Sequence, residues 1–571
     1  MGYDLKDVKM PVLTGRALRA FAAALDNRAT GPVLVKKLMA DAGVPRLAEL
    51  KDLPAPLFLP LAPAPKPADE PGGGEKKPGI STRLVAIFKR KASKETASPA
   101  PSGPAPYPNA ADFVRAYRSG RTDPMKVAEH FLDAYAELNP KLRAFIAVNP
   151  DDVRRQAMAS AERWRTNAEM GPLDGVLVAV KDELDVAGYP TTVGTAFLKE
   201  MAREDATAVA RLRAAGAIIV GKTNMHELGA NPTGHNPHHG HARNPYDPAR
   251  DTGGSSSGSA AAVASGLVPL ALGADAGGSI RVPAALTGVH GLKATFGGVS
   301  EHGAYPVCWS VAHVGPLGAS AYDVALAHRL IAGPDPADPH TAQAPVPEEP
   351  DWSRGDLSDL RIGIWPAWFE HADAEVVRIA RAALDRLEAA GARVVGFELP
   401  GLDDARIAHA VTVLVEMGRS FQRTQEHWRE LAPATRINLK IGQSAAGTDY
   451  VAAQQVRARM VAALDEVLGR VDLIATPTTA IPAPLIPKAA ESDGISDLGT
   501  VTKLMRFIFL TNLTGHPSLS LPAGYTSEGL PVGLQLIGRA WGERTLLEVA
   551  GVLERTTERQ RPQVFADLLV D

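Results

Sequence analysis

The chain has 571 residues, 45% hydrophobic and 22% charged, with a formal net charge of −3. That length exceeds one ordinary core and predicts a large domain with an appendage, while the near-balanced charge excludes bulk attraction to nucleic acid or to an anionic membrane. A single cysteine, Cys308, excludes an intrachain disulfide framework and fits a reducing, cytoplasmic compartment.

Met1 to Lys6 lacks the charged segment and apolar core of a secretory signal. Lys6 stands where a myristoylation motif wants Ser or Thr. Residues 8–45 predict two helices. In the first, Thr14 precedes Leu18, Phe21, Ala22 and Leu25 on one face; in the second, Thr30-Gly31-Pro32 precedes Val35, Leu38, Met39 and Ala42, closed by Gly43. A pair of helices cannot bury these faces alone, so the appendage 1–59 is expected to dock on the main domain or on a partner. Residues 60–107 are rich in Pro, Ala and Gly and read as a linker. Within it, Leu84, Ile87 and Phe88 alternate with Arg83, Lys89, Arg90, Lys91 and Lys94. This short basic amphipathic piece reads either as solvated linker or as a peripheral membrane contact.

Residues 108–571 predict one α/β domain. Asp123-Pro124 opens a helix running to Leu138. Val176–Val180, Ala217–Val220 and Val471–Ala475 read as strands, with helices at 206–215 and 374–390 between them. A polar helical region, 406–467, precedes a turn at Thr476-Pro-Thr-Thr479. The apolar stretch 260–274 is interrupted by Ser265, Gly266 and Pro269 and is too short to span a membrane.

The chemistry gathers in residues 253–283, where Gly253 to Gly258 and Gly277-Gly278-Ser279 form two glycine-serine clusters. A serine ending a Gly-Gly turn can attack a carbonyl whose oxygen rests on the neighbouring N–H groups of Ala276, Gly277, Gly278 and Ser279. A free serine is a weak nucleophile and needs a base. Lys181, at the end of the 176–180 strand, can serve if burial holds it neutral at rest, and Ser255 can relay a proton between them.

Each piece alone is weak; together they resemble the amidase signature family. The resemblance rests on Gly175 to Asp182, Gly221-Lys-Thr-Asn-Met-His-Glu227, Arg243-Asn-Pro-Tyr246, Gly253 to Gly258, Gly273 to Pro283, Gly291-Leu-Lys-Ala-Thr295 and Gly529 to Gln535. It implies a large mixed, twisted sheet covered by helices on both faces. It also implies Lys181 as base, Ser255 as the middle serine after a cis peptide bond, and Ser279 as nucleophile. Ser255 follows Lys181 by 74 residues and Ser279 follows Ser255 by 24, which fits the family. Ser256, Asp275 and Arg281 match residues that brace the site by hydrogen bonds.

A narrower resemblance, to plant-type fatty acid amide hydrolases, covers almost the whole chain. It is carried by Met10 to Gly15, Met225-His-Glu-Leu-Gly229, Tyr450 to Gln454, Thr476 to Thr479, Leu504 to Phe507 and Thr511-Asn-Leu513. It implies hydrolysis of N-acylethanolamines or related long-chain amides, a lipid-like substrate, and N-terminal helices that help form a homodimer. Two features depart from it: Ala276 stands where glycine is usual, and the Pro-rich linker differs.

The resulting expectation is an amidohydrolase without metal or cofactor, acting on a hydrophobic N-acyl amide. The alternatives are an amidase of short or aryl amides and the amidase component of an amidotransferase, working with a tRNA-binding partner. Gly254-Ser255-Ser256-Ser257-Gly258 also fits a nucleophile elbow, but its lead-in, Asn244-Pro-Tyr-Asp-Pro248, cannot be the central strand that motif needs. His235, His238, His239 and His241 lack a zinc ligand pattern and read as turn chemistry. Cys308 reads as a small buried residue or pocket lining.

Overall fold

A computed structural model of the protein describes residues 2–8, 10–63 and 101–570. The basic amphipathic piece at 81–94 lies outside the described residues. In chain order the strands are β1 (Leu13–Thr14), β2 (Phe145–Ala147), β3 (Leu177–Lys181), β4 (Ile218–Thr223), β5 (Arg243–Asn244), β6 (Asp247–Asp251), β7 (Leu270–Ala274) and β8 (His290–Lys293). They continue as β9 (Val314–Gly318), β10 (Arg361–Ile364), β11 (Arg393–Gly396), β12 (Leu473–Pro477), β13 (Ile495–Ser496), β14 (Ser518–Tyr525) and β15 (Pro531–Gly538).

Eleven of these form one mixed sheet in the order β11-β10-β12-β15-β14-β8-β9-β7-β3-β4-β2. Two blocks are parallel, β4-β3-β7 and β11-β10-β12. The pairs joining them and the outer β2–β4 pair are antiparallel. β3 reads Leu-Val-Ala-Val-Lys and is buried throughout, as a strand between two parallel neighbours under packed helices must be. The expected strands at 176–180 and 217–220 begin one residue later and run on to Lys181 and Thr223.

Three boundaries differ from expectation. The helix opened by Asp123 continues to Leu142, carrying Pro140 in its last turn, and stops where Arg143 turns left-handed. β12 extends through Pro477 into the segment expected to be a turn; proline is tolerated there because it ends the strand. The 406–467 region is three helices, Leu402–Ser420, Pro433–Ser444 and Gly447–Arg470, because Pro433 and Gly447 each restart the chain.

The N-terminal pair forms α1 (Gly15–Asp26) and α2 (Gly31–Asp41). Leu18, Ala22, Leu25 and Val35 are buried against Ala434 and Ile437 of the Pro433–Ser444 helix. Asp26 accepts from Trp428 Nε1 at 2.9 Å and from Arg436 at 3.0 Å, and Arg19 pairs with Asp493 at 2.7 Å. Leu18, Ala22 and Leu25 of α1 and Val35 of α2 are thus covered within the chain, while Leu38, Met39 and Ala42 are only partly buried.

Candidate active site

β3 and β7 run parallel side by side, and open α/β sheets offer ligand sites at the C-terminal ends of such strands. Lys181 is the last residue of β3 and is 1% exposed. Its Nζ donates to Ser255 Oγ at 2.9 Å and to the carbonyl of Ala274, the last residue of β7, at 3.1 Å. The same Nζ lies 2.6 Å from Glu183 Oε2. Ser255 enters from β6, which belongs to a two-stranded ribbon outside the main sheet, so no central strand precedes it. The Gly254–Ser255 peptide bond is cis. Position 254 must be glycine, since a Cβ there would fall 2.1 Å from the Thr233 carbonyl oxygen.

Ser279 follows β7 in the loop 275–280. Its hydroxyl makes no hydrogen bond among the described residues, so the expected Ser255–Ser279 relay is not closed by a direct bond here. The Ser256 N–H instead donates to the Ser279 carbonyl at 3.1 Å, tying the two serine clusters together. Ser256 Oγ also reaches the Ala274 carbonyl at 3.3 Å.

Asp275 and Arg281, both fully buried, hold this loop. Arg281 Nε donates to Asp275 Oδ2 at 3.0 Å, and its Nη1 donates to both Thr511 Oγ1 and Gln535 Oε1 at 2.7 Å. Asn512 Nδ2 adds a bond to Asp275 Oδ1 at 2.9 Å. Burial alone would push the Asp275 carboxyl up. The Arg281 guanidinium, Asn512 and the Gly278 N–H outweigh it and hold the group well below the usual carboxylate range.

That last contact corrects one expectation. The Gly278 N–H points at Asp275 Oδ1 at 2.7 Å, away from any bound carbonyl. Among the described residues the N–H groups of Ala276, Gly277 and Ser279 have no acceptor, so three of the four expected oxyanion donors stand open. Gly278 keeps a structural reason for its identity: φ is +104°, and a Cβ would meet Ile508 Cγ2 at 2.4 Å.

A cavity of about 170 Å³ opens near this loop, walled by apolar side chains including Leu5, Val413, Leu414, Val501, Met505 and Phe509. Two of its lining residues reach the loop: a Cβ at Gly277 would lie 3.0 Å from both His409 Cε1 and Met505 Cε. His409 Nε2 donates to the Ala276 carbonyl at 2.8 Å, and burial lowers this imidazole to about 4, so it is neutral near pH 7. Leu5 brings the N-terminal segment into the wall; that segment is pinned by Tyr3 Oη to His371 Nδ1 at 2.6 Å and by an Asp7–Arg506 ion pair.

His409, Met505 and Glu183 were not singled out in the sequence. For Glu183 the signal was a second carboxylate directly after Lys181-Asp182. For His409 none existed. The four clustered histidines each brace their own loop: His235 lies 3.1 Å from Asp251, His238 2.5 Å from Glu227, His239 3.0 Å from the Thr195 carbonyl and His241 2.8 Å from the Ala490 carbonyl. Cys308 is buried, and burial pushes its thiol well up.

Residues 126–547 match the Amidase family model. A fatty acid amide hydrolase of rice, Oryza sativa subsp. japonica, is 37% identical over 594 residues, covering 99% of this chain and 96% of that protein. The A-type subunit of the glutamyl-tRNA(Gln) amidotransferase of Chloroflexus aurantiacus (strain ATCC 29366 / DSM 635 / J-10-fl) is 36% identical over 477 residues, covering 79% of this chain and 97% of that protein. Among solved structures, the peptide amidase of Stenotrophomonas maltophilia superposes with a TM-score of 0.68 at 32% identity, covering 80% of this chain and 98% of that one.

Proposed function

The chain belongs to the amidase signature family and is an amide-hydrolysing enzyme, and on that premise we propose that it cleaves hydrophobic N-acyl amides through Ser279, Ser255 and Lys181. The observation that carries this reading is the largely apolar cavity whose lining residues His409 and Met505 pack against Gly277, in the loop that presents Ser279. In the proposed reaction Lys181 accepts a proton through Ser255 as Ser279 Oγ attacks the carbonyl. The N–H groups of Ala276, Gly277 and Ser279 take the developing oxyanion. Ser255 then returns the proton to the departing nitrogen, since an unprotonated amide nitrogen leaves poorly. Water, activated by the same relay, releases the acid from Ser279. In this reading 1–59 is an appendage that contributes pocket wall, 60–107 a linker and 108–571 the catalytic domain; a homodimer is proposed on the resemblance alone.

Hydrolysis of a matched series tests the substrate class: acetamide, a short aryl amide and N-acylethanolamines of increasing length, with Ser279→Ala as blank. If each added methylene is buried in the cavity, kcat/KM rises about fourfold per CH₂, the equivalent of about 0.8 kcal/mol. A preference for short or aryl amides would overturn the fatty-amide part and leave the serine chemistry. A co-purifying tRNA-binding protein would favour the amidotransferase reading instead. Leu414→Asp, which places a charge on the cavity wall, is expected to cost at least about tenfold in kcat/KM on the longest amide while leaving acetamide within about twofold.

A further inference from the structure

We propose that Glu183 is a positioning residue that stores the proton of Lys181, so that the base is generated inside the site without exchange with solvent. The inference rests on the Ser279–Ser255–Lys181 reading above.

A tight turn places the two groups together. The Leu184 N–H donates to the Lys181 carbonyl at 3.0 Å, and the turn folds the Glu183 carboxylate back to 2.6 Å from Nζ. Asp182, between them in sequence, faces elsewhere: it lies 3.3 Å from Lys222 and accepts from the N–H of Gly194 at 3.0 Å. Lys222 and Lys181 thus pair with different carboxylates, and the one beside Lys181 is Glu183.

The far side of Glu183 faces other buried carboxyls. It lines a narrow cleft of about 10 Å³ shared with Glu301, Tyr305, Cys308 and His313, whose lining contains no lysine or arginine. Glu416 and Asp338 add negative charge behind Glu301, with Arg457 beside Glu416, while behind His313 Asp275 is accompanied by Lys293 and Arg281. Burial, with Asp338, Glu183 and Glu416 nearby, pushes the Glu301 carboxyl well up, and burial likewise raises Glu416. Glu183, Glu301 and Glu416 therefore form a buried carboxyl cluster, with Lys181 the cation in contact with Glu183 and Lys293, Arg281 and Arg457 in the layer behind.

The step balances. In the resting pair the amine is protonated and the carboxylate charged. Transfer across the 2.6 Å contact breaks one N–H bond and makes one O–H bond, leaving amine and carboxylic acid with the same proton count. The freed amine takes the Ser255 proton as Ser255 takes that of Ser279 and the Oγ–C bond forms. The proton goes back through Ser255 to the leaving nitrogen when the C–N bond breaks. Glu183 holds its own proton throughout.

The test is the pH profile of kcat/KM for the full chain with a long-chain N-acylethanolamine, comparing wild type, Glu183→Gln and Glu183→Asp. With a stored proton, wild-type activity persists into weakly acidic solution. Glu183→Gln then forces the amine to lose its proton to water, and the acid limb moves up by at least about one pH unit, roughly a tenfold loss near pH 6 that recovers in alkali. Glu183→Asp keeps a carboxylate and retains the wild-type limb at a lower rate. An acid limb that moves down or stays in Glu183→Gln overturns the proposal, because a carboxylate that only pairs with the ammonium would release a better base when removed. Should the Gln variant not fold, the wild-type profile decides, and a limb in the alkaline range refutes it. Ser279→Ala and Lys181→Ala run alongside. Turnover in either sinks the site reading itself, whereas two inactive controls with an unmoved limb sink only the role of Glu183.

Discussion

Ser279→Ala is expected to lower amide turnover by on the order of 10³-fold or more while leaving the melting temperature almost unchanged. The first half follows from losing the only atom proposed to bond the acyl carbon. The second half follows from the structure: the Ser279 hydroxyl makes no hydrogen bond among the described residues, so its removal orphans no partner, and such changes usually stay within about 0.5 kcal/mol. Lys181→Ala is a less clean probe of the same chemistry. It would leave the Glu183 carboxylate buried without its cation and Ser255 Oγ without its donor. Breaking a buried pair by removing one partner costs about 3–5 kcal/mol, so the lysine variant should lose stability along with activity. Rates per folded molecule, set beside thermal melts of both variants, separate the two effects. A Ser279→Ala enzyme that turns over at the wild-type rate would remove the serine from the mechanism.

What was legible in the sequence is what short-range chemistry dictates. The loop 275–281 must carry glycine because Gly278 has a left-handed backbone and Ile508 at its back, and a Gly-Gly-Ser run is visible without any fold. β3 and β4 were visible as apolar runs because parallel strands buried on both faces leave no polar alternation to read. Lys181 and Ser255 were weak candidates on their own residues and became specific through resemblance, and the fold brings them to 2.9 Å. Other parts depended on packing across long separations. His409 meets Ala276 from 133 residues away, and the cavity wall joins Leu5 to Met505 and Phe509; no spacing rule links such positions. The orientation of the Gly278 N–H was equally hidden, since it is decided by Asp275 and by the Arg281 and Asn512 groups that fix Asp275 in place. Glu183 lay two residues from Lys181, but whether a neighbouring carboxylate turns towards a lysine or away depends on the turn after β3. Asp182 and Glu183 took opposite courses.

Asp275→Asn is expected to cost about 3–5 kcal/mol of stability near neutral pH, because it leaves the Arg281 guanidinium buried without a counter-charge. The amide cannot substitute. Asp275 accepts from Gly278 N at 2.7 Å, Ile280 N at 3.1 Å, Arg281 Nε at 3.0 Å and Asn512 Nδ2 at 2.9 Å, and one end of an asparagine would present its own donors to these donors. The pH dependence has a definite sign. The folded carboxyl is held below the ordinary range, so its contribution is fully present above the unfolded value of about 4 and is lost as pH falls below that towards the folded value. The gap in stability between wild type and Asp275→Asn should therefore be widest at about pH 5–8 and narrow below about pH 4. Urea melts at pH 7 and pH 3 measure it, and an equal gap at both would mean that the charge of Asp275 is not what holds the loop. Activity should fall with stability even where the variant remains folded. The same carboxylate holds the Gly278 N–H and fixes the loop in which those of Ala276, Gly277 and Ser279 have no acceptor among the described residues, so loosening it disorders the donors on which the proposed oxyanion would rest. The expected kinetic mark is a drop in kcat larger than any rise in KM, since donors aimed at a developing charge act in the transition state more than in the bound substrate.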